Sequence, residues 1–289
     1  MRLCLVALIG ALLSWTEARA GSLEFIGAAT LETEEIIGLS GIEVAPNGSE
    51  FLAIGDRGWF VTGNFVRGAD GVIEEIVLGR IGPILGHTGQ PVSARRVGDW
   101  ADTEGLAIAP DGSIWISFER WAHVFRYESL DRPGAWTGTH PDFDDMRDNR
   151  QLEALAIAPD GAVYTFPELP RDEGFPAYRN EGQAWVIDGH VPAADGFSIV
   201  GADFDDDGTL FILERKLVLG LWWQSRILRI RDRDFAAPEV LWTSESGDFY
   251  NLEGISVWHD DAGLRLTLVS DDNGNPREPT QFVEFRLTE

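Results

Sequence analysis

Cysteine is all but missing from this 289-residue sequence; the sole example, Cys4, lies in an apolar stretch at the start. Downstream of it no disulfide, thiol nucleophile or cysteine metal site is available. Basic charge is scarce too. Lysine and arginine number 23 against 48 aspartates and glutamates, a formal net charge of −25, and Lys216 is the single lysine. A surface of that sign repels nucleic acid and anionic lipid and favours cations. Long apolar runs are absent: LCLVALIGALL, residues 3–13, falls short of the ~20 residues a spanning helix needs. With Arg2 before it and Ala18-Arg19-Ala20 after it, this run reads as a cleaved signal peptide over 1–20. The expected mature chain, 21–289, is then periplasmic or secreted, without membrane insertion. No P-loop, dinucleotide fingerprint, H-E-x-x-H or G-x-S-x-G motif occurs, which removes the chemistries those motifs serve.

Glycine and tryptophan are plentiful, at 32 and 11 residues, as expected of many short strands joined by tight turns. Self-comparison organises them. The phrases LSGIEVAPNGSEFLAIGDRG (39–58), TEGLAIAPDGSIWISFER (103–120), LEALAIAPDGAVYTFPEL (152–169), IVGADFDDDGTLFILERK (199–216) and LEGISVWHDDAGLRLTLVSDD (252–272) share one pattern. Each is an apolar strand, a turn carrying Asn-Gly, Asp-Gly or Ala-Gly, and a second apolar strand, which reads as a β-hairpin. Their starts recur at roughly fifty residues, the spacing of β-propeller blades. A single all-β domain over 21–289 is expected, a five-bladed propeller first, six blades second and a β-sandwich third. The fifth unit is one strand short before the C-terminus, and the orphan strand SLEFIGAATL at the mature N-terminus can complete it and close the ring. The tryptophans at 115, 185, 222, 223 and 242 fall in or beside strands and are expected in the core.

DFDDDGTLFILE, residues 203–214, matches the EF-hand calcium loop letter for letter. Its place in the repeat argues otherwise. Glu214 lies at the far end of a strand from Asp207, about 20 Å away at ~3.3 Å per residue, whereas calcium takes oxygens at about 2.3–2.6 Å. Asp203, Asp205 and Asp207 remain either an ordinary acidic turn or a small calcium loop of their own.

The hairpin pattern predicts a second acidic feature. The residue opening strand one and the residue closing strand two lie side by side, away from the turn. These are Glu104 with Glu119, Glu153 with Glu168 and Glu253 with Asp271; blade one offers Asp56 and blade four Glu214. Eight carboxylates are thus expected around one mouth of the channel. Gathered like charges are costly unless they take up protons or a cation. Oxygen ligands without cysteine favour calcium, or magnesium, over zinc or copper, and Asp56, Glu104, Glu153, Glu253 and Asp271 are the candidate metal ligands. Arg57, Arg120, Arg150, Arg215, Tyr250 and Asn251 fall at the same mouth and are candidates for binding an anionic substrate, as paired guanidinium donors do. Glu119 and Glu168 are candidate proton acceptors. His123 and His87 are alternatives for that role, or packing and surface histidines.

The phrases SGIEVAPNG, GDRG, TEGLAIAPDGSIWISFER, NRQLEALAIAPDG and YNLEGISVW together resemble the family called esterase-like activity of phytase, over nearly the whole mature chain. The resemblance implies a secreted propeller with calcium-dependent hydrolysis of a phosphate ester or ester. It carries the family's acidic positions onto Asp56, Glu104, Glu119, Glu153 and Glu253. Blade three departs from it with Ala154 where glycine is expected, and blade four with Val200 where glutamate is expected. A monomer acting on a small anionic molecule is the expected form. The alternatives are a gluconolactonase-like lactonase or a glycosidase using two carboxylates without metal, and a propeller that binds a ligand without turning it over.

Overall fold

The computed structural model describes residues 21–31, 33, 36, 38–92, 102–119, 121–146, 151–275 and 277–288. The expected leader, 1–20, lies outside them. Strand β1 (Ser22–Thr30) is followed by blade one, made of β2 (Leu39–Val44), β3 (Glu50–Gly55), β4 (Trp59–Arg67) and β5 (Ile73–Pro83). Blade two is β6 (Thr103–Ile108), β7 (Ile114–Phe118), β8 (His123–Tyr127) and β9 (Ala135–Trp136). A five-residue helix, α1 (Pro141–Asp145), leads to blade three: β10 (Leu152–Ile157), β11 (Val163–Pro167), β12 (Phe175–Asn180) and β13 (Trp185–Val191). Blade four is β14 (Ser198–Phe204), β15 (Leu210–Val218), β16 (Trp222–Ile230) and β17 (Glu239–Thr243). Blade five is β18 (Asn251–Asp260), β19 (Gly263–Asp271) and β20 (Gln281–Thr288), with β1 as its outer strand. All five sheets are four-stranded and antiparallel. Their first strands touch in the cycle β2, β6, β10, β14, β18 and back to β2, so the chain is a five-bladed β-propeller.

The ring closes as the sequence pattern predicts. Strand β1 pairs with β20 from Ser22 opposite Thr288 to Thr30 opposite Gln281. A buried charge network strengthens the neighbouring seam between blades one and five: Arg67 holds Glu284 through two hydrogen bonds of 2.6 and 2.8 Å, and the fully buried Arg265 holds the same carboxylate at 2.6 Å. Between blades, the inward faces of adjacent sheets interlock as apolar clusters, one at each of the five junctions among the described residues. Tyr164 and Phe166 of blade three meet Phe204 and Ile212 of blade four, and Ile54 and Phe60 of blade one meet Leu106 and Phe118 of blade two. Trp115 and Trp185 are in this core as expected. Trp222 is not: it is 55% exposed near the tip of the long β15–β16 hairpin.

One irregularity recurs in every blade and explains the repeated Glu-Gly dipeptide. The register between the first two strands slips once, between Leu39 and Gly41, Thr103 and Leu106, Leu152 and Ala154, Ile199 and Gly201, and Leu252 and Gly254. Each slip is a β-bulge, which bends the strand and re-aims one side chain. In blades one, three, four and five the extra residue is Ser40, Glu153, Val200 and Glu253, and Glu104 stands in the corresponding slip of blade two. The following glycine is fixed by space rather than by turn conformation. A Cβ on Gly41 would lie 2.8 Å from the carbonyl oxygen of Glu104, one on Gly105 2.5 Å from that of Glu153, one on Gly201 2.7 Å from that of Glu253, and one on Gly254 2.9 Å from that of Ser40. The five bulges therefore pack edge to edge around the axis. Gly105→Ala is expected to destabilise the fold by about 2–4 kcal/mol, because backbone rather than a mobile side chain must give way; denaturant unfolding measures it, and a loss under about 0.5 kcal/mol would contradict this packing.

Candidate functional site

Three tiers of side chains line one mouth of the channel, all set by the bulges. The bulge tier carries Ser40, Glu104, Glu153, Val200 and Glu253. Alternation along the strand puts the residue two positions earlier on the same side, giving Gly38, Asp102, Gln151, Ser198 and Asn251. The second strands end opposite that earlier tier. Asp56 N–H donates to Gly38 O at 2.9 Å, Glu119 N–H to Asp102 O at 2.8 Å and Glu168 N–H to Gln151 O at 2.9 Å. Asp271 pairs with Asn251, and Arg215 pairs with Ser198.

Blade four thus corrects the sequence expectation. Glu214 does not join the mouth; it is fully buried inside its blade, where its carboxylate accepts a 2.6 Å hydrogen bond from Arg226 Nε on β16. Arg215 holds the position that Asp56, Glu119, Glu168 and Asp271 hold elsewhere. The Glu-Arg pair common to ISFER and FILER invites alignment of Glu214 with Glu119, and it is one residue out of step. Counting from the turn glycine would have found this: Glu119, Glu168 and Arg215 each follow Gly112, Gly161 and Gly208 by the same interval. Asp102, which the expectation lacks, was legible by the two-residue alternation from Glu104.

The mouth consequently holds a cation inside a shell of acids. Arg215 Nη1 donates to Asn251 Oδ1 at 2.6 Å and contacts Glu253, while its Nη2 lies 3.5 Å from Glu168 Oε1. Asn251 in turn donates to Glu253 at 2.7 Å. Next to it two trios gather oxygen atoms within 4.8 Å of one another: Asp102, Glu104 and Glu119, and Glu119, Glu153 and Glu168. Glu119 belongs to both. Glu104, Glu119, Glu153, Glu253 and Asp271 are each less than a tenth exposed, so desolvation is severe. Burial foremost, then Glu153 and other neighbouring carboxylates, drives Glu104 well above the usual carboxylate range. Burial and then Glu119 and Glu168 do the same to Glu153. Glu119 is pushed up to about 8 by burial and then Asp102, and Asp271 to about 8 by burial and then Glu253. Asp56, less buried and partly offset by Arg57, is raised to about 6.

The remaining candidates divide. Arg57 is at the exposed rim, its Nε 3.7 Å from Asp56 Oδ1, and Tyr250 is half-buried one residue before Asn251. Arg120 and Arg150 lie outside the described residues. His123 is packed away from the acids. Its ring is stacked between Phe118 and Trp136, with centroids at 4.4 and 5.5 Å, and burial pushes its pKa down to about 4. That aromatic stack fits the packing alternative for His123. His87 is exposed near Phe125. The aspartates of the 203–209 turn spend their oxygens on backbone: Asp203 accepts from Phe204 and Val257 N–H, and Asp207 from Thr209 N–H.

Fold and site together define an acid-mouthed propeller whose five recurrent β-bulges line its channel. Among families this chain belongs to the phytase-like one, esterase-like activity of phytase, whose profile matches residues 34–274. Comparison with curated protein sequences gives no match. Among solved structures, the fold is similar to that of an alpha-L-arabinofuranosidase from Podospora anserina in complex with cellotriose, at 12% identity over 92% of this chain and 95% of that one, with a TM-score of 0.50. It is similar as well to a virginiamycin B lyase from Staphylococcus aureus (11% identity, 93% and 100% coverage, TM-score 0.47) and a gluconolactonase from Xanthomonas campestris (15%, 86% and 72%, 0.43). At these identities the likeness concerns the fold alone.

Proposed function

We propose that the acidic mouth binds calcium and that the protein hydrolyses a small phosphate ester or carboxylic ester there, in the periplasm or outside the cell. The observation that carries the reading is Glu119, one buried carboxylate shared by two oxygen trios. A hard cation suits this donor set, which is all oxygen. Two buried oxygens at the mouth, Asp56 Oδ1 and Ser40 Oγ, have no hydrogen-bond partner among the described residues, which also supports a missing ligand. Asp102, Glu104, Glu119 and Glu153 are the residues that would hold the ion, with Glu168, the remaining acid of the two trios, beside it. Calcium there would supply the positive charge that polarises the ester and lowers the pKa of water.

The chain's own groups divide the rest of the work. Arg215, fixed by Asn251 and Glu253, offers its guanidinium to an anionic oxygen of the substrate. Glu168 accepts the proton of the attacking water as the new bond to phosphorus or acyl carbon forms. Asp271, which burial keeps protonated at neutral pH, gives a proton to the leaving oxygen as the old bond breaks.

The test is turnover of p-nitrophenyl phosphate, p-nitrophenyl acetate and δ-gluconolactone, with calcium and with chelator. Calcium-dependent cleavage of one of the first two is expected. Silence on all three would overturn the reading, and turnover that persists in chelator would transfer it to a metal-free pair of carboxylates.

A further inference from the structure

The opposite end of the channel is built from different material. The hairpin turns of blades one, two and three bring Ala45-Pro46, Ala109-Pro110 and Ala158-Pro159 around a cavity of about 590 Å³, a size that suits a small organic ligand. Its lining is mostly apolar, yet Glu43 of β2 and Asp203 of β14 both face it. Asp203 is more than nine-tenths buried. Its carboxylate accepts the N–H groups of Phe204 at 2.8 Å and Val257 at 2.6 Å, and Glu43 accepts that of Ile108 at 3.2 Å. Burial first, and then Asp203, raises the pKa of Glu43, and burial raises that of Asp203 to about 7.

Among the described residues, neither acid is matched by a basic one. No lysine or arginine is among the described residues that line the cavity, and its other charged members are Glu50, Asp205 and Asp206. His259 bonds Asp205 at 2.7 Å. Two carboxylates inside an apolar cavity, with their neighbours also negative, make a field that one positive charge would relieve. The chemistry of the walls decides which kind of cation. Calcium would need six to eight oxygens, and among the described residues no three carboxylates of this cavity bring oxygens within 4.8 Å of one another, as two trios do at the acidic mouth. An alkyl- or arylammonium ion instead brings three N–H donors for the carboxylates and an apolar body for the walls.

We propose that this second mouth is a binding site for a small organic monocation, an amine with an apolar body. It is separate from the acidic mouth: the bulge residues Gly41, Gly105, Gly201 and Gly254 surround a space of only about 10 Å³ on the axis and line none of this cavity. The site does not depend on the hydrolytic reading.

Calorimetric titration at pH 7.5 with 2-phenylethylammonium, and with the neutral 2-phenylethanol as control, tests it. The amine should saturate and the alcohol should bind at least about tenfold more weakly. Asp203→Asn, which keeps an acceptor for one of the two N–H groups that its separate oxygens serve, should weaken the amine about 30-fold. Ile108→Trp, at a half-exposed position on the cavity wall, should block it by filling the space, which guards against a variant that merely misfolds. Glu104→Gln and chelator, which alter the acidic mouth, should leave amine binding unchanged. Equal binding of amine and alcohol, indifference to Asp203→Asn, loss with Glu104→Gln, or no saturation by about 10 mM amine would each overturn the assignment.

Discussion

Calcium added to the ion-free protein at pH 8 should raise Tm by about 5–10 °C, and at pH 5 by far less. A ligand at about one hundred times its Kd stabilises the native state by about 2.7 kcal/mol, and in a chain of this size each kcal/mol moves Tm by about 2–4 °C. The pH dependence follows from the sign of the shifts. Folding lifts Glu119 from its ordinary 4.5 to about 8, Asp271 from 3.8 to about 8 and Asp56 from 3.8 to about 6. Between the unfolded and folded values the native state binds more protons than the unfolded chain, so stability falls as pH rises. For Glu119 and Asp271 that window runs from about pH 4 to about 8, and for Asp56 it ends near 6. Ion-free protein should therefore be more stable at pH 5 than at pH 8, by a few kcal/mol, as the mouth is forced to ionise. Calcium binds the ionised form, so its stabilisation grows over the same interval. Thermal melts at pH 5 and 8, with calcium and with chelator, read all four states. Ion-free stability that rose from pH 5 to 8 would contradict the account.

Glu119→Gln should lower calcium-dependent hydrolysis by about 10³-fold while making the ion-free protein more stable at pH 8, by about 1–3 kcal/mol. The two effects share one cause. Glu119 belongs to both trios, so its loss damages both sets of ligands, and the uncharged amide removes a repulsion that burial magnifies. A structural carboxylate would give the reverse pattern on stability, since its replacement would break a favourable pair. Arg226 and Glu214 offer that contrast within the same protein: Glu214→Gln weakens a buried ion pair and should destabilise at pH 8. Paired measurement of activity and denaturant midpoint separates the two kinds of site. A Glu119→Gln protein that kept its activity would remove this residue from the mechanism.

Much of the architecture was legible because the physics behind it is local. The turn glycines 48, 112, 161, 208 and 263 all have positive φ, which glycine adopts without strain, so the Asn-Gly, Asp-Gly and Ala-Gly marks located the hairpins correctly. Shortage of one strand after QFVEFRLT, with a spare at SLEFIGAATL, located the closure. The Glu-Gly phrase pointed to the mouth, although the reason for its glycine, a neighbouring bulge within 3 Å of the missing Cβ, is a contact between blades that no single repeat reveals. Residue identity misleads where it outranks count. Glu214 resembles Glu119 in its flanking letters and occupies another position, and Arg215, a candidate substrate ligand, stands where the other four blades carry an acid. His123 and Trp222 show the other limit. A strand residue's neighbours on the adjacent strand and in the next sheet decide whether it is buried, and these are not adjacent in sequence.

The central claim is that buried, partly protonated carboxylates at one mouth exchange protons for a divalent cation. Its most direct test is calorimetric titration of calcium at pH 7 in two buffers of different ionisation heat, which counts the protons released. Saturable binding with release of about one or more protons per ion, reduced in both respects by Glu119→Gln, is the expected result. Calcium that binds without releasing protons, or does not bind at all, would contradict it.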